Sequence, residues 1–391
     1  MQVLKLKKNE DRRLRIGHLW IFSNEVDTAA TPLTGFKPGA LCRVEDSRGK
    51  PLGVGYVNPS TLLSVRLLTG SAGATIDTDW FARRMESALK LRERLYAEPF
   101  YRLIYGESDG LPGLVVDRYG EVLVAQFTTA GMEALKPAVI EALQAVLKPR
   151  GILLRNDSSM REMEGLLPYT ESVGDVPDSV EIVENGARFE IPLKTGQKTG
   201  WFYDQRDNRA RLARYVKDAR VLDVFSYIGG WGVCAMKFGA AAATCIDSSQ
   251  PALDAATRNA RLNAVPLETL HGQALDVLKA LRHEQRRFEV VIVDPPALIK
   301  RKRDLDAGAE HYAHLNRLAM DLLTPEGLLV SCSCSHHMEA SNLQRLLLRE
   351  SRHHNRRLQI LEQGGQSTDH PIHPAIEETR YLKAFFCRVT Q

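Results

Sequence analysis

Residues Arg220 to Asp247 read R-V-L-D-V-F-S-Y-I-G-G-W-G-V-C-A-M-K-F-G-A-A-A-A-T-C-I-D, and no other stretch limits the fold as strongly. An apolar strand over Val221–Phe225 is expected to end in a glycine-bearing turn. A helix then opens near Trp231, and a second strand, Ala243–Ile246, ends on Asp247. Strand, turn, helix and strand in that order make the first half of a Rossmann-like nucleotide site. The turn glycines are Gly229, Gly230 and Gly232, giving G-G-x-G in place of G-x-G-x-x-G. Without that spacing, a pyrophosphate lying on the helix N-terminus is disfavoured. Asp247 closes the second strand about 20 residues on, where an acidic side chain holds ribose hydroxyls. A ribose without a pyrophosphate points to S-adenosylmethionine. The plain alternative is an α/β turn that carries glycines for backbone reasons alone.

At 391 residues the chain has room for about two or three domains. Its 44% hydrophobic and 26% charged content is that of a soluble globular protein rather than a disordered one. No apolar run reaches transmembrane length, and the N-terminus, M-Q-V-L-K-L-K-K-N-E-D-R-R, has no signal-peptide core. A cytoplasmic protein without a membrane partner is expected. The six cysteines, Cys42, Cys234, Cys245, Cys332, Cys334 and Cys387, form no CxxC pair and have no histidine at zinc spacing. Neither a structural metal nor a disulfide framework is indicated. A net charge of +4 fits nucleic-acid binding only where basic residues cluster.

Residues 1–75 read as short strands, Val3–Leu6, Ala40–Glu45, Leu52–Val57 and Leu62–Leu67, separated by turn residues, which suits a small β-barrel. Its first turn gathers Arg12, Arg13 and Arg15 ahead of His18, Trp20 and Phe22. Basic side chains beside aromatics bind irregular RNA through phosphate contacts and stacking. The alternative makes Trp20 and Phe22 barrel core and the arginines a solvated face. Residues 76–185 read as an α+β segment, with helices over Asp79–Tyr96 and Met132–Leu147 and strands over Arg102–Tyr105, Leu114–Asp117, Val122–Phe127 and Gly151–Asn156. From 186 to 391 strands alternate with helices, which argues a doubly wound sheet.

Ligands of such sheets bind at the carboxyl ends of the strands. The Ser226–Gly232 turn, Asp247, Asp294-Pro295-Pro296 and Ser331-Cys332-Ser333-Cys334-Ser335 fall there. If the last two cap neighbouring strands, Asp294 and Cys334 face one pocket, and Cys334, nearer the strand end than Cys332, is the residue that reaches it. A thiolate adding to carbon 6 of cytosine makes carbon 5 nucleophilic, and Asp294 would hold or protonate nitrogen 3. The alternative leaves both cysteines as inert strand-end residues. Asp-Pro-Pro also serves amino-group methyltransferases, but Ala297-Leu298 follows here in place of an aromatic residue. Lys300, Arg301, Lys302 and Arg303 follow that loop and are expected to hold RNA phosphates. Lys194 and Lys198 are further candidates for phosphates or the cofactor carboxylate. Asp204 and Arg206 are candidates for the methionine end of the cofactor, with a helix N-cap by Asp204 as the alternative. His336, His337, His353 and His354 form no metal set and read as surface or polynucleotide-facing residues.

With these residues assembled, the chain resembles the bacterial large-subunit ribosomal RNA cytosine-5 methyltransferases that carry an N-terminal PUA domain. The resemblance spans nearly the whole chain. It rests on R-R-L-R-I-G-H-L-W-I-F-S-N-E-V from Arg12, Y-G-E-S-D-G-L-P-G-L-V-V-D-R-Y-G from Tyr105, G-Q-K-T-G-W-F-Y-D-Q-R-D-N-R, F-S-Y-I-G-G-W-G, V-D-P-P-A and the S-C-S around Cys334. It implies a seven-stranded Rossmann-like sheet, a PUA β-barrel and a small α+β middle domain. It implies a nucleophilic Cys334 assisted by Asp294. Cofactor contacts are implied at Asp204, Arg206, Phe225, Ser226, Tyr227, Gly229, Gly230, Asp247, Ser248, Gln273, Asp294 and Pro295. The expected partner is large-subunit ribosomal RNA, not DNA, and a homodimer is the assembly considered. Two positions depart from the family: Gln273 stands where Asp follows Gly, and Leu298 stands where Phe is common. Competing readings are methylation of another base atom, such as a guanine ring nitrogen, and an RNA-binding assembly protein with an idle site.

Overall fold

The computed structural model describes residues 1–353 and 355–391, so His354 lies outside the described residues. The chain divides into two compact units. One holds Met1–Val180, Ile191–Trp201 and Thr368–Thr379; the other holds Glu181–Glu190, Phe202–Ser367 and Arg380–Gln391.

The first unit opens with β1 (Gln2–Lys5), the single turn α1 (Arg12–Arg15), β2 (Trp20–Phe22), β3 (Ala40–Glu45), β4 (Pro51–Val57) and β5 (Leu63–Thr69). The sheet runs β1-β3-β4-β5-β2, parallel only between β1 and β3. A bridge from Leu6 to Val26 joins its two ends, which closes a barrel and removes the open edges. Alternation along the first strand turns Leu4 and Leu6 into a core with Ile21, Val44, Val57 and Val65. Next come α2 (Thr78–Leu95), β6 (Phe100–Tyr105), β7 (Leu114–Tyr119), β8 (Val122–Phe127), α3 (Ala130–Ala134), α4 (Lys136–Leu147), β9 (Gly151–Asn156), α5 (Met160–Met163) and β10 (Tyr169–Gly174). Their sheet runs β10-β9-β8-β7-β6. The helix expected over Met132–Leu147 is divided at Leu135. Pro137, in the first turn of α4, has no N–H to continue the earlier turn. Val54, Tyr56 and Leu68 pack into the core under α2, and the Tyr56 hydroxyl donates to Pro112 O at 2.9 Å.

The hairpin β11 (Ser179–Glu184) and β12 (Ala187–Pro192) leads to α6 (Arg206–Arg211). The second unit then alternates: β13 (Arg220–Val224), α7 (Gly230–Lys237), β14 (Ala242–Asp247), α8 (Gln250–Leu262), β15 (Glu268–His271), α9 (Ala274–His283), β16 (Phe288–Val293), α10 (Leu305–Asp321), β17 (Leu323–Ser333), α11 (Ala340–His353), β18 (Arg357–Gly364) and β19 (Lys383–Thr390). The seven strands run β15-β14-β13-β16-β17-β19-β18, all parallel except β19. Both faces are covered. Leu278 and Leu281 of α9, Leu315 of α10 and Leu343 of α11 fill one core, while Leu212, Trp231 and Ala235 fill the other. Burial on both faces is why these strands are continuous apolar runs. The strand order reverses between β13 and β16, the point where open α/β sheets bind their ligands.

Candidate functional site

The turn after β13 is conformationally costly. Phe225 (φ 67°), Tyr227 (φ 49°) and Gly229 (φ 82°) lie in the left-handed region, which only the glycine enters without strain. Backbone bonds hold it: Ser226 N donates to Ile246 O at 3.0 Å, and Gly229 N to Ser226 O at 2.8 Å. Asn259 Nδ2 of α8 donates to Ile228 O at 3.0 Å. Asp247 contributes from the end of β14. Its Oδ2 accepts from Tyr227 N and its Oδ1 from Ser249 N, each at 2.9 Å. A carboxylate offers about four lone-pair directions, so two remain for other donors. His271 Nε2 lies 3.0 Å from Ser248 O. Gln273 is exposed, and its backbone carbonyl accepts from Asp276 N and Val277 N, each at 3.0 Å, at the start of α9.

Gly230 opens α7, and one residue pair beneath it sets how close that helix comes to the sheet. Gly232 N donates to Asp223 Oδ2 at 3.0 Å, and a Cβ at 232 would sit 2.6 Å from Cys245 Sγ. Asp223 is fully buried in β13, and its Oδ1 has no hydrogen-bond partner among the described residues. Burial pushes its carboxyl up to about 7, opposed by the Gly232 amide and reinforced by the charges of Asp294 and Asp247.

Asp294 follows β16 and is gripped on both oxygens. Oδ1 accepts from Gln205 Nε2 at 2.8 Å and Oδ2 from Trp231 Nε1 at 2.9 Å. The residue keeps some exposure overall, but its carboxyl is enclosed, and that burial, with the charge of Asp204, pushes it up to about 6. Asn208 Nδ2 donates to Gln205 Oε1 at 2.7 Å and so turns the Gln205 amide toward Asp294. Sequence reasoning missed Gln205 and Trp231 as partners of Asp294, although both lie inside motifs it singled out. Asp204 sits in a 3-10 turn, where its Oδ2 accepts from the Tyr381 hydroxyl; Gln205, not Asp204, is the α6 N-cap. The N-cap alternative for Asp204 is therefore not realised. Arg206 and Arg209 are buried and both pair with Glu184, at 3.3 and 2.6 Å.

β16 and β17 are neighbours, with Val293 opposite Ser331. The thiol of Cys334, just past β17, lies 3.8 Å from Pro295 O. The strand-end loops thus bring Cys334 and Asp294-Pro295 together. Cys334 is partly exposed, whereas the other five cysteines are buried. Behind it a buried hydroxyl chain fixes the turn. Ser333 Oγ donates to Tyr312 Oη at 2.9 Å, Tyr312 Oη lies 3.1 Å from Ser335 Oγ, and Ile299 N donates to Ser335 Oγ at 3.1 Å.

Residues 169–388 match the family described as S-adenosylmethionine-dependent methyltransferase, and residues 4–70 match the PUA-like domain. The chain belongs to the S-adenosylmethionine-dependent methyltransferase family. Among curated relatives it is 38% identical over 394 residues, 98% of each chain, to ribosomal RNA large subunit methyltransferase I of Photobacterium profundum. It is likewise 38% identical over 395 residues, 99% of each chain, to the protein of that name from Erwinia tasmaniensis. The crystal structure of SMU.776 complexed with SAH shares the fold at a TM-score of 0.85 and 19% identity, covering 99% of this chain and 100% of that one.

S-adenosylmethionine is the methyl donor of the family, and the residues present suit it. It is cationic at the sulfonium and carries ribose hydroxyls. The sheet ends present Asp247 with spare acceptor capacity and, beneath the glycine turn, the buried Asp223 Oδ1, which has no hydrogen-bond partner among the described residues.

The expected RNA-facing residues divide into exposed and engaged groups. Lys300, Arg301, Lys302 and Arg303 are all exposed in the second unit. In the first unit Arg12 is exposed. Arg13 pairs with Glu25 at 2.6 Å and lies over the Phe22 ring, and Arg15 pairs with Asp11 and with Asp46. His18 Nδ1 accepts from Trp20 N at 3.0 Å, and the Trp20 indole donates to Glu107 at 2.9 Å. Trp20 and Phe22 are half-buried, and Ile21 between them is the core residue. Lys194 pairs with Asp178 at 2.7 Å, and Lys198 is exposed. His336 is exposed, with its ring 5.3 Å from that of His337. Among the described residues no helix is long and apolar enough to cross a membrane.

Proposed function

We propose that this protein methylates carbon 5 of a cytosine in large-subunit ribosomal RNA through a covalent bond to Cys334. The observation that carries the reading is the partly exposed Cys334 thiol, 3.8 Å from the backbone oxygen of Pro295, the residue that follows Asp294. S-adenosylmethionine supplies the methyl group. The Cys334 thiolate adds to carbon 6 of the base, and the electron pair moves to carbon 5, which becomes the nucleophile. Asp294, held by Trp231 and Gln205, faces nitrogen 3. With its carboxyl pushed up to about 6, it has a protonated fraction near neutral pH with which to donate there. After methylation the carbon 5 proton leaves to a base or to water, and the nitrogen 3 proton returns to Asp294. The electron pair of that bond re-forms the double bond and expels the thiolate, which restores the aromatic ring.

The target base has to leave its stack or come from an unpaired loop to reach a strand-end pocket. The PUA-like barrel and the Lys300–Arg303 loop supply sequence-independent grip on the RNA. The division near residues 75 and 185 and action in the cytoplasm belong to the same proposal. Incubation with 5-fluorocytidine-substituted ribosomal RNA and cofactor tests it, because fluorine at carbon 5 cannot leave as a proton does. A denaturation-stable protein–RNA adduct is expected, and it is lost in Cys334→Ala. Methyl transfer without an adduct sinks the covalent route and favours another base atom.

A further inference from the structure

Lys383, at the start of β19, is buried, with 7% exposure. A buried ammonium ordinarily has a carboxylate partner. Among the described residues none lies within ion-pair distance of Lys383. Its ammonium donates instead to Ser335 O at 2.6 Å and Tyr381 O at 2.8 Å, and a third N–H remains. Ser335 is the residue after Cys334, and β19 pairs with β17 so that Lys383 stands opposite Ser333. The cation is therefore tied to the turn that presents the thiol.

We propose that Lys383 is a positioning residue for Cys334: it pins the Ser335 carbonyl, and with it the turn, and its positive charge favours the thiolate. The step is a proton leaving the thiol to solvent, with the ammonium unchanged. The other titratable side chains near this turn are Tyr312 of α10, whose hydroxyl burial pushes up, Cys332 of β17, whose thiol burial pushes well up, and Asp294, which precedes the Pro295 that Cys334 touches and whose charge works against the thiolate. Burial pushes Lys383 down to about 8, and the charge that opposes this is that of Cys334, so the two groups act on each other. Thiolates next to a cation form at lower pH than free thiols.

The importance of Cys334 for catalysis rests on the reading above, but the test does not need turnover. Cys334 is the one cysteine of six that is not buried, so iodoacetamide alkylation of the full chain, quantified at Cys334 by mass spectrometry, reads thiolate formation against pH. Lys383→Met is expected to move the midpoint of that curve up by about one pH unit, with alkylation near pH 7 slowed about tenfold. Lys383→Arg is expected to stay near the original curve. Lys383→Gln, smaller and polar, replaces Lys383→Met if the latter does not fold, as judged by cofactor binding. An unchanged midpoint in the neutral variant overturns the proposal. An equal rise in Lys383→Arg also overturns it, because packing rather than charge would then be at work. The two readings fail separately: an alkylation shift without a 5-fluorocytidine adduct overturns only the cytosine mechanism, and an adduct without the shift overturns only the role of Lys383.

Discussion

Replacing Asp223 by asparagine is expected to make the protein more stable at neutral pH, the reverse of the usual result for a buried residue. Asp223 is 0% exposed near the carboxyl end of β13, and burial is the largest cause raising its carboxyl from 3.8 to about 7. A folded-state value above the unfolded one means that the native state holds the extra proton between about pH 4 and pH 7. Stability from this group is complete below that window, falls as pH rises through it, and is flat above. At 1.36 kcal/mol per unit, the loss between pH 5 and pH 7 is about 2–3 kcal/mol. Asparagine keeps a carbonyl oxygen for the Gly232 amide, bonded to Asp223 at 3.0 Å, and never ionises. Urea unfolding without cofactor at pH 5 and pH 7.5 measures the difference. The variant should gain about 2–3 kcal/mol over wild type between the two pH values. Parallel pH dependences for the two proteins would refute the claim that a charge is being forced into the sheet.

Gly232→Ala puts a Cβ 2.6 Å from the buried Cys245 sulfur, and overpacking there should cost about 1–3 kcal/mol in thermal unfolding, with weakened cofactor binding. Asp247→Ala removes the acceptor that anchors Tyr227 N and Ser249 N. Calorimetry should show S-adenosylmethionine binding weakened by at least about tenfold, from the loss of charge-assisted hydrogen bonds. Neutralising Lys300, Arg301, Lys302 and Arg303 together should flatten the salt dependence of RNA binding by up to about three units of logarithmic slope and leave cofactor affinity unchanged.

The methyltransferase sheet was legible because its strands are buried on both faces and read as apolar runs broken by polar helices. The glycine turn, Asp247, Asp294 and Cys334 were legible for the same reason, since each follows such a run and strand ends carry ligands. Short or half-exposed pieces were harder. β2 is three residues long, and β10 and β11 are mixed in polarity, so neither composition nor period marked them. The α3–α4 break depended on one proline inside an otherwise helical pattern. Partners were hardest of all. Gln205 and Trp231 grip Asp294, Glu184 holds Arg206 and Arg209, and Lys383 reaches Ser335 only because β19 inserts antiparallel between β17 and β18. Periodicity reports which side of a strand is buried, not which strand lies next to it.

The most direct test of the proposed activity is nucleoside mass spectrometry of ribosomal RNA after incubation with the protein and isotopically labelled S-adenosylmethionine. Covalent catalysis by Cys334 predicts that the label appears in 5-methylcytidine of the large-subunit RNA with wild type and is absent with Cys334→Ala, while that variant still binds the cofactor. Label in a methylated guanosine, or undiminished 5-methylcytidine from the variant, would contradict it.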